Sequence, residues 1–405
     1  MKKTLLISLA AVLFFAACKN KTTQPEIIPL SISFPANGAV LTDSPIIHVM
    51  PGSGFSFSLV DLFIDSTLVF TDSIAPYLYS WNIFSYPNNS SHIIKAVGYT
   101  ADSTYAAGPI SVTISVTRGF YFMSHYQPSS QNAVGVTSYN NLLFISTGDA
   151  GLEMIDISNR TVPQFLARYN TPGQALKTAV NSSRVYIADR DQGVTMANYT
   201  QLDSIIPLAH LSTQGLVIGI ALSGNLVLVA ENDYLQILRQ ADLDTLFRMS
   251  FSQDVLNYIV ARSDTAFIVG NSGFYIVDCT SLPARLVGSY GNLSVGRSAV
   301  VADTFAFIAN SSEGVIALSI SDPTHPRFLA RFNPNLIITS VAAGNSTLFA
   351  GTNSGVIYAL NYGTPDALQL LDQFSGENYI EELSFQNYYL YAAARSGVEI
   401  LRYIR

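Results

Sequence analysis

Asn140-Asn141-Leu142-Leu143-Phe144-Ile145-Ser146-Thr147-Gly148-Asp149-Ala150-Gly151-Leu152-Glu153-Met154-Ile155-Asp156 is the stretch whose reading decides the fold. A polar pair suited to a tight turn opens it. An apolar run follows, then a second turn ending in Gly, then another apolar run, which together spell a hairpin of two buried strands. Outward from this segment the same arrangement returns. Asn140, Ser182, Gly224, Ser263, Asp303, Asn345 and Asn387 fall in register at separations of 42, 42, 39, 40, 42 and 42. An apolar run such as Val185-Tyr186-Ile187, Ala306-Phe307-Ile308 or Leu390-Tyr391-Ala392 stands behind each turn. Gly recurs before the next strand at 151, 193, 273, 314, 355 and 397, where a hairpin calls for positive φ; the third unit offers Asn232-Asp233-Tyr234 instead. A fourth strand reads Phe165-Leu166-Ala167-Arg168-Tyr169 in the first unit and Phe328-Leu329-Ala330-Arg331-Phe332 in the fifth. The seventh unit stops at Arg405 without one, while Phe122-Met123-Ser124-His125-Tyr126 precedes the first unit and matches the pattern.

A period near 41 residues with four short β-branched and aromatic runs per unit predicts a propeller rather than a helical solenoid. The expectation over 119–405 is a seven-bladed β-propeller whose last blade takes three strands from the C-terminus and one from the start of the region. Such 1+3 closure leaves no unpaired inner edge. Gly-Leu-Glu-Met-Ile-Asp-Ile-Ser at 151–158, Gly-Phe-Tyr-Ile-Val-Asp at 273–278 and Ser321-Asp322-Pro323-Thr324-His325-Pro326 resemble the LVIVD-repeat proteins, a propeller family of exported and surface proteins. The sequence departs from that motif at Asn198, Arg239 and Leu360, which stand where the motif has Asp.

Upstream of the repeats, Met1-Lys2-Lys3 and the apolar run Leu5 to Ala17 form a charged-then-apolar leader, too short to span a bilayer as a mature helix. Its end, Phe15-Ala16-Ala17-Cys18, resembles a bacterial lipobox, with Phe15 departing from the usual aliphatic. The resemblance implies a signal peptide over 1–17, a lipid on Cys18 and a polar tether over 18–27. Lys19 follows where an inner-membrane-retention Asp would stand, which favours the outer membrane. Residues 28–117 alternate apolar and polar positions in about seven short runs, as in Val112-Thr113-Ile114-Ser115-Val116, and predict an antiparallel sandwich. Phe34-Pro35-Ala36-Asn37-Gly38, Val60-Asp61-Leu62-Phe63-Ile64-Asp65 and Ala75-Pro76-Tyr77 resemble bacterial immunoglobulin-like modules. Trp81 reads as the core ring of this sandwich and His92 as a turn cap. The whole chain is all-β.

Charged residues are 12% and hydrophobic ones 49%, with a net charge of -7 and no basic cluster, which removes nucleic acid as a partner. The second of the two cysteines, Cys279, lies in an apolar strand and reads as a buried thiol, so no structural disulfide is expected. Just ahead of each aligned turn the inner strands carry Val134-Gly135, Leu176-Lys177, Ile218-Gly219, Asn257-Tyr258, Arg297-Ser298, Thr339-Ser340 and Glu381-Glu382. Lys177, Asn257, Tyr258, Arg297, Glu381 and Glu382 therefore converge at the channel mouth, where they hold a polar ligand or neutralise one another. Alternation along a strand places Glu381 and Glu382 on opposite faces, against a glycosidase pair. No catalytic residue set, metal site or cofactor is expected. His125 and His210 read as outer-edge residues and His325 as part of a Pro-bracketed turn. Asp149, Asp189, Asp191, Glu231 and Asp233 suit turn chemistry by the hairpins. These features favour a monomeric envelope protein, held to the membrane through its lipid alone, whose loop face binds a protein or glycan. The alternatives are a hydrolase or lyase at the channel mouth and a periplasmic scaffold in outer-membrane assembly.

Overall fold

The computed structural model describes residues 30–405, apart from 54–55, 84–85, 88, 102–103, 108, 116–117, 364–365 and 377. The leader, the tether and Cys18 lie outside the described residues. The chain divides into two compact units, 1–117 and 118–405, and no α-helix occurs among the described residues.

The first unit holds two sheets. One pairs Leu30–Phe34, Ile46–Pro51 and Tyr77–Ser80 in that order; the other runs Val40–Leu41, Ile110–Ile114, Ser91–Tyr99, Leu59–Ile64 and Thr67–Asp72, with Thr104–Ala106 also on Ser91–Tyr99. Strict alternation produces the core, with Val60, Leu62 and Ile64 buried from one strand and Ile94 and Ala96 from the next. Two details differ from the sequence reading. Val40–Leu41 pairs parallel, not antiparallel, with Ile110–Ile114. His92 is a buried strand residue rather than a turn cap: its Nδ1 lies 2.5 Å from Asp65 Oδ2, and its ring packs edge-on against Trp81 and Tyr86. Trp81 is fully buried, as its alternating run implied.

The second unit consists of seven four-stranded antiparallel sheets. Six are consecutive in sequence, opening with Gly135–Tyr139, Lys177–Val180, Val217–Ser223, Leu256–Arg262, Ser298–Ala302 and Ile338–Gly344. The seventh orders Ile380–Gln386, Tyr389–Ala394, Gly397–Ile404 and then Gly119–Tyr126 from the other end of the region. That closing strand pairs along its length, from Gly119 with Ile404 to Tyr126 with Val398. The first strand of each sheet packs against the first strand of the next, and that of the seventh against that of the first, so the inner strands form a closed ring. Between sheets the second and third strands bury both faces. Phe144, Phe307, Phe349 and Tyr391 are fully enclosed, which is why these strands read as continuous apolar runs rather than alternating ones.

Six of the seven aligned turn positions adopt left-handed φ; Ser182 alone does not. Asn232 takes that conformation, at φ 48, in the unit lacking the hairpin Gly. Gly273 departs from its expected role, since its φ is not positive. It is small for another reason: an added Cβ would stand 2.4 Å from the Tyr275 hydroxyl oxygen.

Candidate functional site

The inner strand of every sheet carries a β-bulge at its start, and these bulges build the channel mouth. In four sheets the register slips across Ile218, Asn257, Thr339 and Glu381. In the other three, Val134, Leu176 and Arg297 donate their N–H to the carbonyls of Ser146, Ala188 and Ala309, the residues already opposite Gly135, Lys177 and Ser298. A bulge sets two residues against one and re-aims the side chains there. The residues at the slip ring a mouth cavity of about 350 Å³; those one step on line the channel beneath it, where Lys177, Tyr258 and Glu382 border a second cavity of about 270 Å³.

This corrects the sequence reading of Glu381 and Glu382. Strict alternation would part them, but the bulge cancels it, and both carboxylates reach the channel at different depths. Glu382 is the deeper and ties four sheets together. Its Oε2 accepts from Val136 N at 2.8 Å, while Oε1 lies 3.0 Å from Lys177 Nζ and accepts from the Tyr258 hydroxyl at 3.4 Å. The Val136 N–H lies on the inner edge of its strand and has no strand beyond it, so a side chain from the neighbouring sheet supplies the acceptor. Ser298 and Ser340 do the same for Val341 N and Leu383 N. The Lys177 ammonium also sits 5.9 Å from the Tyr258 ring centre. Burial within the channel, and next the Glu382 carboxylate, push the Tyr258 hydroxyl far above its ordinary value.

At the mouth, Glu381 accepts from Arg395 Nε at 2.9 Å, and that guanidinium lies over the Tyr379 ring at 4.4 Å. Asn257 donates to Asn271 Oδ1 at 2.8 Å and to Gly296 O at 2.7 Å. Arg297 donates only a long bond, 3.3 Å, from Nε to Ser311 Oγ, and no carboxylate among the described residues pairs with it. All six residues expected at the mouth are therefore on the channel, in two layers. Asn271, Ser311, Tyr379 and Arg395 were missed by sequence reasoning. Three of these, Asn271, Ser311 and Arg395, stand just past the end of the second strand, at one register position, so carrying the repeat alignment three residues beyond the apolar runs would have found them.

Around the mouth, buried acids tie the loops that lead into the first four inner strands to the neighbouring hairpins. Glu153 accepts from Ser129 N and the Tyr126 hydroxyl, Asp189 from Gly173 N, Glu231 from Gly215 N and Arg248, and Asp254 from Gly273 N and the Tyr275 hydroxyl. Asp149 accepts from Gln174 at 2.7 Å. No group of three His, Cys, Asp or Glu side chains suited to a metal occurs among the described residues. His125 and His210 are exposed on outer strands, and His325 bonds Asp322 within its turn.

The Asp that ends the third strand closes a turn, as Asp156 does on Ser158 N and Asp278 on Thr280 N. Asn198 makes the same bond to Thr200 N. In the sixth sheet the strand pairing puts Asn361, not Leu360, at this position; Leu360 is buried, and Asn361 accepts from Gly363 N. The loop chemistry of those two units is thus kept by Asn.

Four-stranded antiparallel sheets in cyclic order around a channel define a β-propeller. The LVIVD repeat model matches residues 131–171 and 297–333, which span the first and fifth units. The chain is similar in structure to a β-propeller domain of Cps50 from Myceliophteria thermophila, with a TM-score of 0.59 and 12% identity over 70% of this chain and 99% of that one. It is similar also to the WD40 repeats of RRP9 (0.59, 15%, 70% and 97%) and to BamB from Moraxella catarrhalis (0.51, 12%, 70% and 97%). At such identities the likeness concerns the fold. No curated protein matches the chain.

Proposed function

We propose that this chain is a lipid-anchored binding protein of the bacterial cell envelope, non-enzymatic, in which an immunoglobulin-like sandwich carries a seven-bladed propeller whose loop face meets a protein or glycan. One observation carries the reading: the titratable groups that do converge, Lys177, Tyr258 and Glu382, are spent on one another, and the other polar groups at the mouth are spread around the ring. Lys177 and Tyr258, the groups an enzyme would draw on, are both engaged with Glu382. A hydroxyl held far above its ordinary value is a poor acid near neutral pH. The rim of polar, anchored loops suits recognition, because loops on a rigid scaffold carry specificity at little ordering cost.

The anchor rests on the leader and Cys18. Replacing Cys18 by Ser should release the protein from membranes, and persistent membrane association would refute the anchor. For the binding role, immobilised full chain should capture an envelope component, and charge reversals on the loop face should abolish capture. Substrate turnover that vanishes in Arg297→Ala without loss of folding would replace this reading by an enzymatic one.

A further inference from the structure

We infer that the channel mouth receives the free C-terminal carboxylate of a peptide whose last residue is apolar. The inference rests on the loop-face binding role and names its ligand. Three features of the mouth lead to it.

The first is charge. Two cations line the cavity, Lys177 and Arg297; Lys177 is matched by Glu382, whereas Arg297 has no acidic partner among the described residues. On a chain of net charge -7 this is a local positive point, aimed at an open cavity. A guanidinium with its fork of N–H groups free is suited to a carboxylate.

The second is the division of the wall. Sheets one to three contribute Val134, Leu176 and Ile218 with Lys177 beside them, whereas sheets four to seven contribute Asn257, Arg297, Thr339 and Glu381, and Val295 adds an apolar side chain from the loop that leads to Arg297. An occupant needs an apolar body beside its charged end. A cavity of about 350 Å³ is at the small end of ligand sites, enough for one residue rather than a folded element.

The third is an exit. Asn271 borders the mouth and also a second, wider depression of about 690 Å³, lined by Asn232, Asp233, Ser252, Gln253 and Ser272. Its Oδ1 is taken by Asn257, so its amide N–H groups remain to meet a carbonyl at the junction. A polar trough leading away from an apolar-and-cationic cup fits an extended chain whose last residue is seated and whose preceding backbone lies along the trough.

The test uses the full chain and two pools of random short peptides, one ending in free acids and one in amides. The free-acid pool should enrich peptides with an apolar last residue. Isolated binders should lose about tenfold or more in affinity on amidation and in Arg297→Gln, the worth of one charge-assisted hydrogen-bond pair. Arg297→Lys should recover part of the loss. Because Arg297 is exposed, its variants should melt as the parent does, and a melting check separates lost binding from lost fold. Binders indifferent to amidation or to Arg297→Gln would overturn end recognition while leaving peptide binding at the loop face standing. Absence of binders from both pools would refute the inference, and the capture experiment would then judge the broader role independently.

Discussion

Glu382 is the side chain whose loss should most disturb the propeller without touching its strands. Replacing it by Ala removes the acceptor of the buried Val136 N–H, an orphaning worth about 1–3 kcal/mol. It also strands the Lys177 ammonium, which is 17% exposed against 7% for Glu382. Breaking a buried pair by deleting one partner typically costs about 3–5 kcal/mol. Lys177 is only partly enclosed, so the lower end applies, and the two losses overlap; about 3 kcal/mol is expected in all. At roughly 2 °C per kcal/mol for a unit of this size, the propeller transition should fall by about 6 °C. Glu382→Gln keeps an acceptor for Val136 N and loses only the ionic part, so about half that shift is expected. The decisive comparison is a double-mutant cycle, because Lys177→Met in the Glu382→Ala background removes the stranded charge. It should restore stability, with a coupling of about 1–3 kcal/mol. Calorimetry resolves the propeller transition from that of the first unit. Additivity within about 0.5 kcal/mol would mean that Glu382 and Lys177 do not act as a pair, and the account of the channel layer would be wrong.

Deleting 119–126 should destabilise the whole propeller by exposing the edge of Gly397–Ile404; a propeller transition unchanged in the deletion variant would refute the shared last sheet. Asp189 is fully buried, and burial raises its carboxyl above the usual range. A raised folded value means that the folded state holds the proton more tightly, so this group's contribution declines as pH rises from the unfolded value through the folded one. Asp189→Asn keeps an acceptor for Gly173 N; it should melt higher than the parent near neutral pH and lose the advantage in acid, and denaturant curves giving the opposite order would contradict the burial argument. Cys279 is buried, which pushes its thiol up to about 11. In a Cys18→Ser background it should resist a thiol reagent at pH 8 until the propeller unfolds, and prompt labelling of the native protein would place it outside the core.

The repeat was legible because turn and strand chemistry recur at nearly fixed spacing, and the closing strand was legible because Phe122 to Tyr126 lacks a unit of its own. The convergence of Lys177, Tyr258 and Glu382 could also be read, since equivalent inner-strand positions of a ring must face one axis. Their depth could not. It depends on bulges, and a bulge is a hydrogen-bond slip with no residue signature here: Ile218, Asn257, Thr339 and Glu381 share neither size nor charge. Gly273 marks a similar limit, because a Gly needed for closeness to Tyr275 looks in sequence like one needed for φ. His92 was misplaced because Asp65, its partner, lies 27 residues away and meets it only across two strands.

A second set of slips shows why the bulges belong to the design of every sheet. Each outermost strand carries one extra residue at the same register, Met123, Leu166, Leu208, Leu246, Val287, Leu329 or Leu371. All seven are aliphatic or Met. Met123, Leu166, Val287 and Leu329 pack into the apolar clusters between neighbouring sheets, so the slip turns an outer-strand side chain inward. It also breaks the ladder that an exposed edge would offer to another chain. Here the residue type is uniform although the surroundings are not, since Leu208 and Leu371 stay exposed. At the inner slip it is not: Val134, Leu176 and Ile218 give way to Asn257, Arg297, Thr339 and Glu381. The backbone repeats at both ends of the sheet, and at the outer end packing accounts for the side chain in the four sheets where it enters an apolar cluster. At the mouth, where the side chain meets an open cavity instead of a neighbouring sheet, packing leaves its chemistry open, and that freedom is what lets a repeated frame carry an unlike set of side chains around one cavity.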